Sequence, residues 1–156
     1  MIELHKFYNK LIKNSEELSA ILLAGMGILV LLQIILRVFG TGFGWPEELS
    51  RYMLVWMTMI SAGLLIQENG DVRIELFVNK LPCKVAALLE SINNILMSLF
   101  ALTMVYFGWI RSEDGLEIQM VSLKLSMVWF YIAIPVGGLL ILIHLIFRYL
   151  PKKEIE

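Results

Sequence analysis

One cysteine and two histidines are all that the 156 residues offer to a soft metal ion or a disulfide. Cys83 alone closes no internal disulfide and leaves no thiolate cluster for zinc or iron–sulfur binding; it reads as a loop residue. Haem would need axial ligands from a bundle interior, and His5 and His144 do not form a facing pair within a bilayer. His144, near the end of the last apolar run, reads as an interfacial residue. The 13 Lys and Arg nearly balance the 14 Asp and Glu, for a net charge of −1, and no basic arm or stacking aromatic series points to nucleic acid. A Ser-His-Asp set, a phosphate loop and a carboxylate pair placed for catalysis are missing as well. The chain therefore reads as a non-enzyme that needs no cofactor of its own.

Charge is also missing from the middle of every long apolar run, where Asp, Glu, Lys and Arg do not occur. A protein that conducts ions or acids through its own centre ordinarily carries ionisable groups or broken helices at midplane depth. What abounds is apolar surface: 58% of residues and a mean hydropathy of +0.75, against roughly 45–50% apolar content in a soluble domain. The sequence predicts an all-α integral membrane protein, one domain over 1–156, with four transmembrane helices at about 18–39, 46–67, 85–110 and 126–149 forming a bundle. Three lysines precede the first run as in a secretory signal, but the run continues for about 20 residues without an A-x-A-like end, which predicts an anchored span.

Two short amphipathic helices accompany the spans. Ile2, Leu4, Phe7, Tyr8, Leu11 and Ile12 return at helical spacing among charged residues and predict an interfacial helix over 2–13, separated from the first span by an Asn14/Glu17 capping pair. Ile74, Phe77, Val78 and Leu81 recur at i, i+3, i+4 and i+7 opposite Arg73 and Glu75, which predicts a second one over 72–82, behind Asp71. Thr58 and Ala62 are small residues four apart, suited to close helix packing in lipid. Glu90 and Asn94 share a face at the entrance to the third span, as an ion or partner site or as a plain interfacial entrance. Pro135 cannot donate to the carbonyl of Tyr131, so the fourth span should kink there.

Lys6, Lys10, Lys13, Arg73, Lys80, Lys84, Arg148, Lys152 and Lys153 fall on one side of the spans and Arg37, Arg111 and Lys124 on the other, which by the positive-inside rule predicts cytoplasmic termini. The opposite rim carries Trp45, Trp109 and Trp129, an aromatic belt, with Trp56 deeper along its helix. There Pro46 suits a first helical turn, Glu47 and Glu48 meet the positive end of the helix dipole, and Arg51 lies within reach of both. Arg37 either snorkels to the headgroups or pairs with Glu47 or Glu48 across the short Gly40–Trp45 turn. The acidic connection with Glu113, Asp114 and Glu117 is either a solvated loop or a docking surface for a partner on that outer side.

Taken in order, Arg37, Trp45-x-Glu47-Glu48-x-x-Arg51, Trp56, Gly70-Asp71-Val72-Arg73-Ile74-Glu75 and Trp129-Phe130-Tyr131-x-x-x-Pro135-x-Gly137 resemble the small membrane subunit of tripartite ATP-independent periplasmic (TRAP) transporters. Asp71 departs from the histidine expected at that place. The resemblance implies a multi-pass protein of a bacterial or archaeal cytoplasmic membrane. Its partners would be a large sodium-coupled membrane subunit, a periplasmic protein that captures an organic acid of the sialic acid or C4-dicarboxylate class, and membrane phospholipids. It further implies that sodium and substrate sites belong to the large subunit, whose static scaffold this chain widens, with Arg37, Glu47, Glu48 and Arg51 as a charge network at the shared rim. Two rivals from other classes are a small exporter or channel made by oligomerisation, which should carry an acidic residue inside its first span, and a haem- or quinone-linked anchor of a redox enzyme.

Overall fold

The computed structural model describes residues 2–67 and 83–149. These form α1 (Ile2–Val38), α2 (Trp45–Gln67), α3 (Cys83–Asp114), a short α4 (Val128–Tyr131) and α5 (Ala133–Tyr149). Four stretches among them, with α4 and α5 taken together, are long and apolar enough to cross a membrane. The expected interfacial helix with Asp71, Arg73, Ile74, Phe77 and Val78 lies outside the described residues.

Residues 2–13 are not a separate helix. They run without a break into the first span, through Asn14 and Glu17. The reason is a stripe that the capping signal competes with: Tyr8, Ile12 and Ser15 are buried, and Ser19 continues the stripe to receive a hydrogen bond from Ser61 on α2 (3.3 Å). Tyr8 stacks on Phe147 at 4.1 Å, so tertiary packing holds the helix through a segment that local preference would end. At its other end α1 closes on Gly40 (φ +76°), with the amide of Gly40 bonded to Arg37 O and that of Thr41 to Leu36 O. Only a residue without Cβ takes this left-handed position cheaply.

The spans do not close into the expected bundle. Among the described residues α1 packs on α2, α2 on α5 and α5 on α3, whereas α1 and α3 do not pack along each other. The result is an open row in the order first, second, fourth, third. A core of Ile66, Ala101, Ile141 and Leu145 fills the space where α2, α3 and α5 meet. The joints of the row are glycines. A Cβ on Gly138 would stand 2.9 Å from the Ala101 carbonyl oxygen, one on Gly137 2.8 Å from Met59 Cβ, and one on Gly63 3.2 Å from Leu140 Cβ. Thr58, by contrast, is exposed and turns its hydroxyl back to Leu54 O and Val55 O (both 2.9 Å), while Ala62 packs against the core. Close approach in lipid favours the smallest residue, and the glycines take that role.

Candidate functional site

The polar side chains collect at the two ends of the spans. At the Trp45 end, α2 starts with a buried Pro46 followed by Glu47 and Glu48 in its first turn. Glu47 is a junction: Arg51 donates to it along the helix, and Gln33 Nε2 donates to it from α1 (3.2 Å). Arg37 does not join Glu47 or Glu48 among the described ion pairs and hydrogen bonds. It is exposed in the last turn of α1, where a cation suits the helix dipole, and Gln33 one turn earlier supplies the link between helices instead. Side chains of Arg51 and Glu47 remain 70% and 48% exposed, so the pair contributes about 0–1 kcal/mol. Arg51→Ala should therefore leave the detergent melting temperature of the chain nearly unchanged.

Glu48 does something no local pattern announced. Its carboxylate accepts the amides of Ser122 (3.0 and 3.1 Å) and Leu123 (3.3 Å), more than 70 residues away. The partner is the tip of a hairpin between α3 and α4, in which Met120 N–H donates to Leu125 O and Met127 N–H to Ile118 O, both at 2.8 Å. Lys124 takes a left-handed conformation (φ 50°) at its turn. Gly44 lies under the tip, where a Cβ would come within 2.6 Å of Ser122 Oγ. Bonds from backbone amides to a carboxylate are stronger than neutral ones, so Glu48→Gln should speed hydrogen exchange at Ser122 and Leu123 while the helical amides of α2 keep their protection.

Trp56 donates its indole N–H to the Trp129 carbonyl (2.9 Å), tying α2 to α4. That bond sits just before the break in the fourth span. The helix is interrupted at Ile132, three residues before Pro135, because the proline ring and its missing N–H act on the preceding turn. The half-buried Trp45 opens α2. The acidic connection is shorter than its composition suggested. Glu113 and Asp114 belong to the last turn of α3 and are held on that helix, Glu113 by Trp109 Nε1 (3.0 Å) and Asp114 by Arg111 (3.2 Å). Glu117 is exposed at the start of the hairpin.

At the opposite end His144, read from the sequence as an interfacial residue, is packed into the protein and 1% exposed. It shares a helical face with Gly137 and Leu140, the face turned to Gly63 of α2, and its ring meets Tyr8 edge-on at 5.5 Å. Nδ1 lies 2.6 Å from Leu140 O, which as a carbonyl only accepts, so Nδ1 carries the proton. Its Nε2 has no hydrogen-bond partner among the described residues. The entrance of α3 is also tied down: Glu90 accepts from Arg148 of α5 (3.1 Å), and Asn94 is buried. No group of three or more His, Cys, Asp or Glu is placed to hold a metal ion among the described residues.

Comparison with known proteins matches the amino-acid sequence to a family. Residues 26–151 fit the description "Tripartite ATP-independent periplasmic transporters, DctQ component". The chain is 33% identical over 149 residues to a putative TRAP transporter small permease protein of Haemophilus influenzae, covering 95% of this chain and 91% of that one. It is 26% identical over 151 residues to the sialic acid TRAP transporter small permease protein SiaQ of Vibrio cholerae, covering 94% and 84%. A third relative, the sialic acid TRAP transporter permease protein SiaT of Haemophilus influenzae, is 26% identical over 97% of this chain but only 24% of its own length. A segment like this chain thus occurs within a much larger permease, and the chain pairs with a large membrane subunit in a TRAP system. The match over most of its length makes this chain a member of the DctQ family, the small membrane component of TRAP transporters.

Proposed function

We propose that the chain is a static, non-catalytic brace for the large subunit, lying with both termini in the cytoplasm, while sodium and an organic acid bind on that partner. The observation that carries this reading is the absence of Asp, Glu, Lys and Arg from the central stretch of each span, where a conducting protein would place them. Polar groups within reach of those stretches are engaged: Trp56 with Trp129 and Ser61 with Ser19 join helices, and Nδ1 of His144 bonds Leu140 O within α5. The substrate belongs to the sialic acid or C4-dicarboxylate class and is delivered by a periplasmic binding protein. The name of the Vibrio cholerae relative supports the first of these.

Reconstitution tests the reading. Vesicles with this chain, the large subunit and the binding protein should accumulate labelled sialic acid or a C4-dicarboxylate under an inward sodium gradient. Vesicles with this chain alone should accumulate neither. Sodium-driven uptake by the lone chain would overturn the assignment.

A further inference from the structure

The hairpin between α3 and α4 exposes large apolar side chains beside the polar Glu117, Gln119, Ser122 and Lys124. Met120 is buried beneath it, while Leu116, Ile118, Val121 and Leu125 are exposed, Val121 at 91%. Some of its backbone donors are tied to the protein or across the hairpin. The amides of Ser122 and Leu123 go to Glu48, those of Met120 and Met127 are paired across the hairpin, and that of Val128 goes to Gly115 O.

The height of the hairpin is set by its attachments. One is Glu48, three residues from Arg51, and the other is Gly115, whose amide bonds to Arg111 O. Arg51 and Arg111 are the cations at which the charge-free runs of α2 and α3 end. The loop therefore lies where the spans meet the headgroups. The exposed rings of Trp109 and Trp129 lie on α3 and α4, the two elements that the hairpin joins, and such rings favour that depth.

We infer that residues 116–125 form an interfacial anchor whose apolar side chains insert into the adjoining phospholipid leaflet, with Glu48 holding the hairpin in the inserting conformation. Lys124, exposed at the turn, is placed to meet lipid phosphate. The anchor fixes the depth of this end of the row. It depends on the spans crossing a bilayer and not on the bracing role, so the uptake experiment and the one below fail independently.

The test uses the complex of this chain with its large subunit, in vesicles of phosphatidylethanolamine and phosphatidylglycerol. A Cys83→Ser, Val121→Cys chain is labelled with a nitrobenzoxadiazole dye, and a Cys83→Ser, Leu125→Cys chain serves as the second position. Insertion about 5–10 Å into the boundary should let nitroxide lipids labelled near the acyl carbonyls quench the dye and reduce iodide quenching at least about three-fold relative to free dye. Adding Glu48→Gln should restore iodide quenching. Full iodide quenching with Glu48 present would place the tip in water, open to the periplasmic binding protein, and overturn the inference. Protection from both quenchers would mean that the large subunit covers the tip, which also overturns it.

Discussion

Gly138→Val is expected to separate α3 from α5 and to lower the melting temperature of the detergent-solubilised chain more than any surface substitution. The added Cβ would stand 2.9 Å from the Ala101 carbonyl oxygen, 3.0 Å from Val105 Cγ2 and 3.2 Å from Met104 Cβ. Two of those three contacts are close to helix backbone that a rotamer change cannot clear. Overpacking of this kind costs about 1–3 kcal/mol, and the loss falls on the joint that holds α3 in the row. Gly27→Ala is the control: nothing lies within 4 Å of its Cβ position, and removing a glycine from a helix interior should be neutral or stabilising by about 0.5–1 kcal/mol. Fluorescence-detected melting of both variants measures the difference, and equal melting temperatures would mean that α3 and α5 do not approach this closely.

The second large effect is expected at His144. His144→Asp would put a carboxylate where the present side chain is 1% exposed, between Tyr8, Gly63 and Leu140. An unpaired buried ion costs several kcal/mol even after relaxation. His144→Phe keeps a ring against Tyr8 and Gly63, loses the bond to Leu140, and also removes the unpartnered Nε2. Since deleting an unsatisfied acceptor offsets the loss of one hydrogen bond, this variant should stay within about 1–2 kcal/mol of the parent. If aspartate were tolerated as well as phenylalanine, the three-helix junction at His144 would have to be open to water.

Both effects arise at contacts that sequence patterns describe poorly. In a soluble helix the apolar stripe points to the core, but lipid is as apolar as a core, and the periodicity then says little about which face meets protein. Ile21 and Leu31 of α1 are exposed on the row although nothing in their type separates them from Ile60, which is buried. The glycines were visible in the sequence, yet Gly27 and Gly138 look alike until one is found facing open space and the other a carbonyl. Thr58 and Ala62 had the right size and spacing for a packing pair, and only Ala62 packs.

At the candidate site the legible part was local. Arg51 lies within reach of Glu47 because i and i+4 share a helical face, and the interruption near Pro135 follows from a missing donor, so both could be stated from residue order. Glu48 was legible as an acid at a helix start but not as the clamp of a hairpin beginning some 70 residues later, since no spacing rule spans a chain reversal. Glu113 and Asp114 were read as members of a loop because acidic residues suit loops, while Trp109 and Arg111 one turn earlier extend the helix beneath them.

The amino-acid sequence by itself determined that this protein is helical and that it has four runs able to cross a membrane, because composition and run length act residue by residue and need no partner. It also determined the family, through residues held in order along most of the chain. The tertiary structure decided the neighbour order, the continuity of α1 through its capping signal, the burial of His144 and the target of Glu48. These depend on which surfaces approach within a few ångströms, and in a chain whose faces are nearly all apolar that choice is made by the fit of glycines and a few polar groups between distant segments.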